Sequence, residues 1–388
     1  MNMLGSADLP AWLTDESYRL FADSARRFFN REATPEAAGR WREAGVVPRE
    51  IWRKAGDAGL LGASAPAEFG GGGGDFGHEA ILARELGLRN LEGWSLTVHN
   101  AIVLPYLKHY ANDEQKRRWI PKLCSGEWVC AIAMTEPGAG SDLQRIRTAA
   151  RRAGDGYLVS GQKVFISNGQ NADLVIVAVK TDPEAGAKGV SLLVAETAEL
   201  AGFRRGRNLE KIGNEMSDTS ELFFDEAFIP AANLLGEQEG RGFAQLMNQL
   251  PQERLLIAVL CQGAIERALT LTIDYVKSRE AFGQRLIDFQ NTQFKLAELK
   301  TEAAVCSAFI DQCCAAHLQG RLSNEMSAMA KLHASELACR AVDDCLQFFG
   351  GYGYMTEYPI AQMYKDVRVR RILGGSSEIM KSIIARSL

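Results

Sequence analysis

The chain lacks most of the features that would announce a metal, membrane or nucleic-acid function. It has five histidines, none at metal-ligand spacing, so no metal site is expected. Its eight cysteines include no Cys-x-x-Cys pair; Cys313 and Cys314 are adjacent, and Cys306, Cys339 and Cys345 fall in helical patterns. That excludes a disulfide scaffold and reads as reduced, buried thiols of a cytoplasmic protein. No apolar run reaches transmembrane length, and residues 1–12 lack the basic start and apolar core of a signal peptide; no membrane partner is expected. The net charge of −4 provides no footprint for nucleic acid. Arginines do cluster at Arg145, Arg147, Arg151 and Arg152, and again at Arg204, Arg205 and Arg207. Without interleaved aromatics such runs read as solvated faces or local ion pairs. Gly72-x-Gly74-x-x-Gly77 satisfies a dinucleotide fingerprint, but residues 63–69 make a poor buried strand before it, and the match is rejected.

What remains is an ordinary globular composition. The 388 residues, 46% of them apolar, suffice for two or three domains of about 150 residues each. Residues 17–29, 51–61 and 79–88 place apolar side chains at helical intervals. From about Trp128 the character changes: segments 157–160, 163–167, 174–179, 190–194 and 221–224 are short, rich in β-formers and separated by Gly, Asn, Asp or Pro. No helix-length segment lies between them, which predicts an antiparallel β-domain rather than βαβ units. After Gly240 the helical period returns, with long segments at 294–318 and 326–349 predicting a helical bundle. The expected fold is therefore mainly α with a β-domain: a helical domain over residues 1–127, an antiparallel β-barrel or sandwich over 128–237, and a C-terminal four-helix bundle over 238–388.

Residues 131–142 read Ala-Ile-Ala-Met-Thr-Glu-Pro-Gly-Ala-Gly-Ser-Asp. Thr135 can present an amide and a hydroxyl to one ligand edge, Pro137 fixes a turn, and Gly138 and Gly140 admit a flat ring or phosphate close to the backbone. Ser141 adds a donor. The run closely resembles the first flavin signature of the acyl-CoA dehydrogenases, and other segments of that family follow in its order. Phe165-Ile-Ser-Asn-Gly169 is similar to the second flavin segment, with Phe165 and Ser167 in place of the usual Trp and Thr. Arg279-Glu-Ala-Phe-Gly283 with Gln290, then Gln347 with Gly350-Gly351, then Ser376 and Glu378, resemble the remaining segments. The resemblance implies FAD as cofactor, held by Met134, Thr135, Gly140, Ser141, Phe165 and Ser167 of one subunit. It further implies that Arg279, at the pyrophosphate, and Phe282, near the adenine, reach the FAD of a neighbouring subunit with Gln290, that Gln347, Gly350 and Gly351 meet the diphosphate end, and that Ser376 and Glu378 lie in the final FAD-contacting turn. Shared cofactor residues imply a homo-oligomer, in this family a tetramer built as a dimer of dimers.

The family's usual catalytic glutamate precedes the Gly-Thr/Ser of the last turn, and here that position is Gly374. Proton removal needs another base. Leu-Pro-Gln-Glu-Arg-Leu-Leu-Ile-Ala at residues 250–258 resembles the long-chain and isovaleryl branches, which carry the base on this helix, and so points to Glu253; the match is especially close to the long-chain branch. The bare Gly374 is expected to leave room for Glu253. Its amide is expected to donate to the thioester oxygen beside the ribityl 2′-hydroxyl of FAD. A free carboxylate near pKa ~4.3 is a weak base, and desolvation by a bound acyl chain should raise it by roughly two units or more. Arg254 is expected to touch substrate or position Glu253, and Ser141 to touch the flavin phosphates or the substrate entrance.

The resemblance thus implies α,β-dehydrogenation of a medium- or long-chain or branched acyl-CoA thioester to the trans-2-enoyl-CoA, as in fatty-acid β-oxidation, with electrons passed to an electron-transfer flavoprotein. An oxidase or flavin monooxygenase on the same fold, a dehydrogenase of carrier-protein thioesters, and a silent structural homologue are the alternatives.

Overall fold

The computed structural model describes residue 10 and residues 12–388. Most of the N-terminal stretch read for a targeting signal therefore lies outside the described residues. The first third is helical: α1 (Glu16–Glu32), α2 (Pro35–Ala44), α3 (Arg49–Asp57), α4 (Phe76–Arg89), a π-helix (Val98–Val103) running directly into α5 (Leu104–Tyr110), and α6 (Asp113–Cys124). The caps follow from the sequence. Asp15, Thr34, Asp75 and Asn112 each accept a first-turn amide, and at α4 and α6 the third residue bonds back to close a capping box.

The middle segment folds into one curled sheet of seven strands: β1 (Cys130–Ala133), β2 (Ala149–Ala153), β3 (Gly156–Ser167), β4 (Leu174–Lys180), β5 (Val190–Glu196), β6 (Phe203–Asn208) and β7 (Thr219–Pro230). The order is β1-β4-β2-β3-β7-β6, with β5 also on β4. Most pairings are antiparallel, as expected, but β1 runs parallel to β4, and β2 meets the end of β4 in parallel. The β1–β4 connection passes through the β2–β3 hairpin, which turns the chain by the extra half-circle that a parallel return needs. Every residue of β4 is buried. Leu174, Ile176 and Ala178 face α5 and α6, while Val175, Val177 and Val179 face β3 and β7. Burial on both faces explains why this strand reads as a continuous apolar run. Three strands carry no such pattern. β1 is too short, β2 is Ala-Ala-Arg-Arg-Ala, and β6 is an edge strand whose Arg204 and Arg207 stay in solvent, a charged edge that discourages further pairing. Arg205, also exposed, donates to the carbonyls of Gly169 and Ala172.

The last third is α7 (Gly242–Ser278), a small hairpin of β8 (Glu280–Ala281) and β9 (Gln284–Arg285), α8 (Gln290–Leu318), α9 (Asn324–Phe348), α10 (Pro359–Val367) and α11 (Ser377–Ala385). By length and composition α7 could cross a membrane, which corrects the expectation that no apolar stretch reaches that length. Its most apolar window is 78% buried within the protein, packed with α4, α8 and α9 in the largest apolar cluster. It is apolar because it is the axis of the core. All eight cysteines are free, and all but Cys339 are buried.

Helices α4 and α7 approach so closely that only glycine fits at the crossing. A Cβ on Gly87 would lie 2.4 Å from the Leu260 carbonyl oxygen, and one on Gly263 would lie 2.6 Å from that of Arg84. Beside this contact Arg84 donates to Glu266 at 2.6 Å. Alanine in a helix interior is ordinarily favoured over glycine by about 1 kcal/mol. Here the methyl must force two backbones apart, so Gly263→Ala is expected to destabilise the protein by about 1–3 kcal/mol in chemical denaturation. A neutral or stabilising result would show that the crossing can open without cost.

Candidate active site

The loop after β1 is held from below by a buried ion pair. Lys163, fully buried in β3, donates to Glu136 Oε1 at 2.8 Å and to the Met134 carbonyl at 3.1 Å. Glu136 also accepts from the amides of Arg147 at 2.6 Å and Thr148 at 3.0 Å. Burial works against the charge on Glu136, but the Lys163 ammonium and these donors hold its carboxyl below the usual value. Burial lowers Lys163 to about 8 against the pull of Glu136, and at neutral pH both remain ionised. The amide of Val164 donates to the Thr135 carbonyl at 2.9 Å, tying the loop to β3 a second time. Above these anchors the loop is open. A Cβ on Gly138 would meet nothing within 4 Å, and one on Gly140 only the Thr135 methyl at 3.9 Å. Ser141 is exposed.

Phe165 lies beside this loop. A register shift between Lys163 and Ile166 interrupts the β3–β7 ladder, and Phe165 adopts φ +62°. Val164 and Ile166 stay buried while the Phe165 ring stands 66% exposed. A bulge that turns a large apolar ring into solvent is a costly arrangement unless a ligand covers it. Ser167 pairs with Thr219 two residues further along β3. The structure thus brings together Met134, Thr135, Gly140, Phe165 and Ser167 along one rim.

Glu253 sits in α7 and is 4% exposed. The Tyr106 hydroxyl, from α5, donates to its Oε1 at 2.9 Å. Burial pushes the carboxyl up to about 7; the Tyr106 hydrogen bond and the Arg254 charge pull the other way. Arg254 points elsewhere, donating to Asn324 Oδ1 at the start of α9 at 2.5 Å, with its buried Nε unpartnered.

Gly374 and Gly375 form a turn at φ +65° and +97°, a region that L side chains rarely occupy. The buried Lys331 donates to the Gly375 carbonyl at 2.7 Å. A Cβ on Gly374 would lie 2.3 Å from Ile257 Cδ1. Ile257 is one turn beyond Glu253, on the same side of α7, so the turn and Glu253 address one stretch of helix. The expectation that bare Gly374 leaves room for Glu253 is corrected in detail: the space is filled by Ile257. Ser376 caps α11 through the Ile379 amide, and Glu378 is exposed in its first turn.

A second group lies at the far end of α7. Arg279 ends that helix, and its guanidinium lies 5.8 Å over the Tyr352 ring. Tyr275 stacks on Phe349 at 4.3 Å, joining the end of α7 to the residue just before the Gly350–Tyr354 turn. Phe282, at φ +53°, is 96% exposed. Gln290 and Gln347 are exposed, and a Cβ on Gly350 or Gly351 would meet nothing within 4 Å. Between Glu253 and Arg279 the helix runs about 39 Å at a rise of ~1.5 Å per residue. The sequence-derived residues therefore form two groups that one chain does not bring together.

Sequence reasoning missed Glu136, Lys163, Tyr106, Ile257 and Lys331. Only Lys163 carried a signal, a charge at the buried parity of β3 beside Tyr157 and Val159. Tyr106 is presented by the π-helix, whose extra residue per turn leaves no mark in apolar spacing.

The chain matches three family descriptions in order: acyl-CoA dehydrogenase N-terminal domain over residues 15–127, middle domain over 131–227 and C-terminal domain over 240–388. It is 47% identical over 371 residues to the mitochondrial long-chain specific acyl-CoA dehydrogenase of Sus scrofa, covering 95% of this chain and 86% of that one. The crystal structure of an acyl-CoA dehydrogenase from Geobacillus kaustophilus superposes with a TM-score of 0.93 at 45% identity, covering 97% of this chain and 98% of that one. A structure described as the electron transferring flavoprotein of Acidaminococcus fermentans superposes at 0.91 with 30% identity, over 98% of both chains. The expected cytoplasmic location is corrected by these relatives, since the Sus scrofa protein is named as mitochondrial. Buried free thiols separate reducing from oxidising compartments, but not one reducing compartment from another. Matched along nearly its whole length in sequence and in fold, the chain belongs to the acyl-CoA dehydrogenase family, flavin-linked oxidoreductases acting on CH–CH groups.

Proposed function

We propose that this chain dehydrogenates a long-chain acyl-CoA at the α,β bond, with Glu253 as the base. One observation carries the assignment. Glu253 is a buried carboxylate raised to about 7, on the side of α7 that meets the Gly374 turn at Ile257. A base that titrates near neutrality is matched to removal of a weakly acidic α-proton. The Gly374 amide, held by a turn pinned through Lys331, donates to the thioester oxygen and stabilises the developing enolate. Arg254 supports Glu253 through its charge, and Ser141 stands at the substrate entrance. The long-chain class and the electron-transfer flavoprotein acceptor are supported by the relatives.

The residues present fit FAD. The exposed Phe165 ring offers a flat apolar platform, and the open glycines of both groups offer backbone to a diphosphate. Bound FAD supplies the hydride acceptor for the β-carbon. Met134, Thr135, Gly140, Ser141, Phe165 and Ser167 hold the flavin half. Arg279, Phe282, Gln290, Gln347, Gly350 and Gly351 serve the FAD of a neighbouring subunit, with Ser376 and Glu378 completing the last contact. This division requires a homo-oligomer, which we assign as a tetramer, and three domains at residues 1–127, 128–237 and 238–388.

Glu253→Gln is expected to keep FAD and abolish flavin bleaching by acyl-CoA in stopped flow; bleaching at near wild-type rate would remove Glu253 as the base. The same variant makes a stability prediction of definite sign. The folded pKa of Glu253 lies above its unfolded value of 4.5, so its contribution is present below about 4.5 and lost as pH rises to about 7. Glu253→Gln should therefore match wild type in acid and exceed it in alkali, the gap widening by roughly 2–3 kcal/mol from pH 5 to pH 8. Denaturation at those two pH values measures it.

Arg279→Ala is expected to leave the fold intact and cost about tenfold or more in FAD retention, because it removes a charge-assisted pyrophosphate contact. Flavin absorbance after gel filtration and dilution reads this out. Full retention would count against the shared cofactor site.

A further inference from the structure

Among the described residues, Glu253 has one hydrogen-bond donor, Tyr106, and its placement takes a special piece of backbone. The π-helix before α5 carries an extra residue, which rotates every following side chain by about 100°. Pro105, at the join, has no amide to satisfy in the disturbed turn. The next residue is Tyr106, fully buried, with its hydroxyl 2.9 Å from Glu253 Oε1. The Tyr110 ring packs 6.2 Å from it, centroid to centroid.

We propose that Tyr106 is a positioning residue for the base, holding Glu253 in one rotamer and favouring its ionised form. The inference rests on the reading of Glu253 as the base. The groups facing Glu253 are Tyr106 from α5 and Arg254 from α7 itself. Arg254 directs its guanidinium to Asn324 and acts on Glu253 only through space. Tyr106 is then the only one of the two in contact with the carboxyl. Burial, then the charge of Glu253, raise the phenol well above its ordinary value, so Tyr106 keeps its proton and has it to donate to the carboxylate. A hydrogen bond to a carboxylate is stronger than one to the neutral acid. The hydroxyl therefore offsets part of the desolvation that drives Glu253 toward neutrality, and it removes the rotational freedom of a side chain that must meet one α-proton.

Tyr106→Phe, purified with FAD and compared with wild type and Glu253→Gln, tests this. Infrared difference titration reads the buried carboxyl directly, and the pH profile of flavin bleaching by acyl-CoA reads its consequence. The carboxyl midpoint is expected to rise by about one pH unit. Below that midpoint bleaching slows about tenfold, and part of the rate returns in alkali; kcat falls while KM changes little. FAD content stays at the wild-type level. An unchanged midpoint and profile in FAD-loaded Tyr106→Phe, with Glu253→Gln inactive, overturns the role of Tyr106 and leaves the base in place. Bleaching retained in Glu253→Gln overturns both. If Tyr106→Phe does not fold, fluorotyrosine incorporated throughout the wild-type chain replaces it. A more acidic phenol is a stronger donor and must lower the carboxyl midpoint, and no movement overturns the inference.

Discussion

Everything at this site follows from the burial of α7. A helix that forms the axis of a core cannot hydrate the ionisable groups it carries, and an uncompensated buried charge costs several kcal/mol. α7 meets that constraint in two ways. Glu266, raised by burial, is paired with Arg84 at 2.6 Å and is tied into the α4 crossing. Glu253, three and a half turns earlier and equally desolvated, receives a phenol in place of an ion pair. The same residue type on the same helix is therefore held by an ion pair in one place and by a phenol hydrogen bond in the other. The partner decides between a structural group and a chemical one, not the depth of burial.

The open rims of the site depend on rigid supports beneath them. Phe165 and Phe282 both take positive φ, which for a bulky residue costs about 1–2 kcal/mol. For Phe165 the surrounding structure imposes that geometry. Lys163, two residues before it, is anchored on Glu136, and Val164 is bonded to Thr135. Buried ion pairs contribute little net stability, and their value is often in specifying one arrangement. Here the pair sets the register of the loop against the strand that presents the ring.

Much of this was legible in the sequence, and the failures have physical causes. The three-part layout could be read because helices and strands leave periods of 3.6 and 2 in apolar spacing. β2 and β6 could not, because Ala-Ala-Arg-Arg-Ala and an arginine-rich edge bury too little to leave a period. The apolar character of α7 is masked because Glu266 and Arg267 interrupt the run of apolar residues without lowering its average far. Site residues that touch a ligand through loops could be found by resemblance. Those that act from below, such as Glu136, Lys163 and Tyr106, could not, because each is defined by a partner distant in sequence. Gly374 shows the limit from the other side. Its glycine was read as vacant space, but φ and the Ile257 contact both require it.

The same rod that desolvates Glu253 also keeps it apart from Arg279. α7 is continuous between them, and its length there, about 39 Å, exceeds what one dinucleotide can bridge. If both ends serve flavins, they serve different ones, and each FAD has contacts that a lone subunit lacks. Flavin affinity then becomes linked to assembly: whatever binds only the assembled form stabilises that form by mass action. The exposed Phe282 and the open glycines at 350–351 are in this view the free half of a site. An isolated chain exposes them at a cost that only a neighbour can remove.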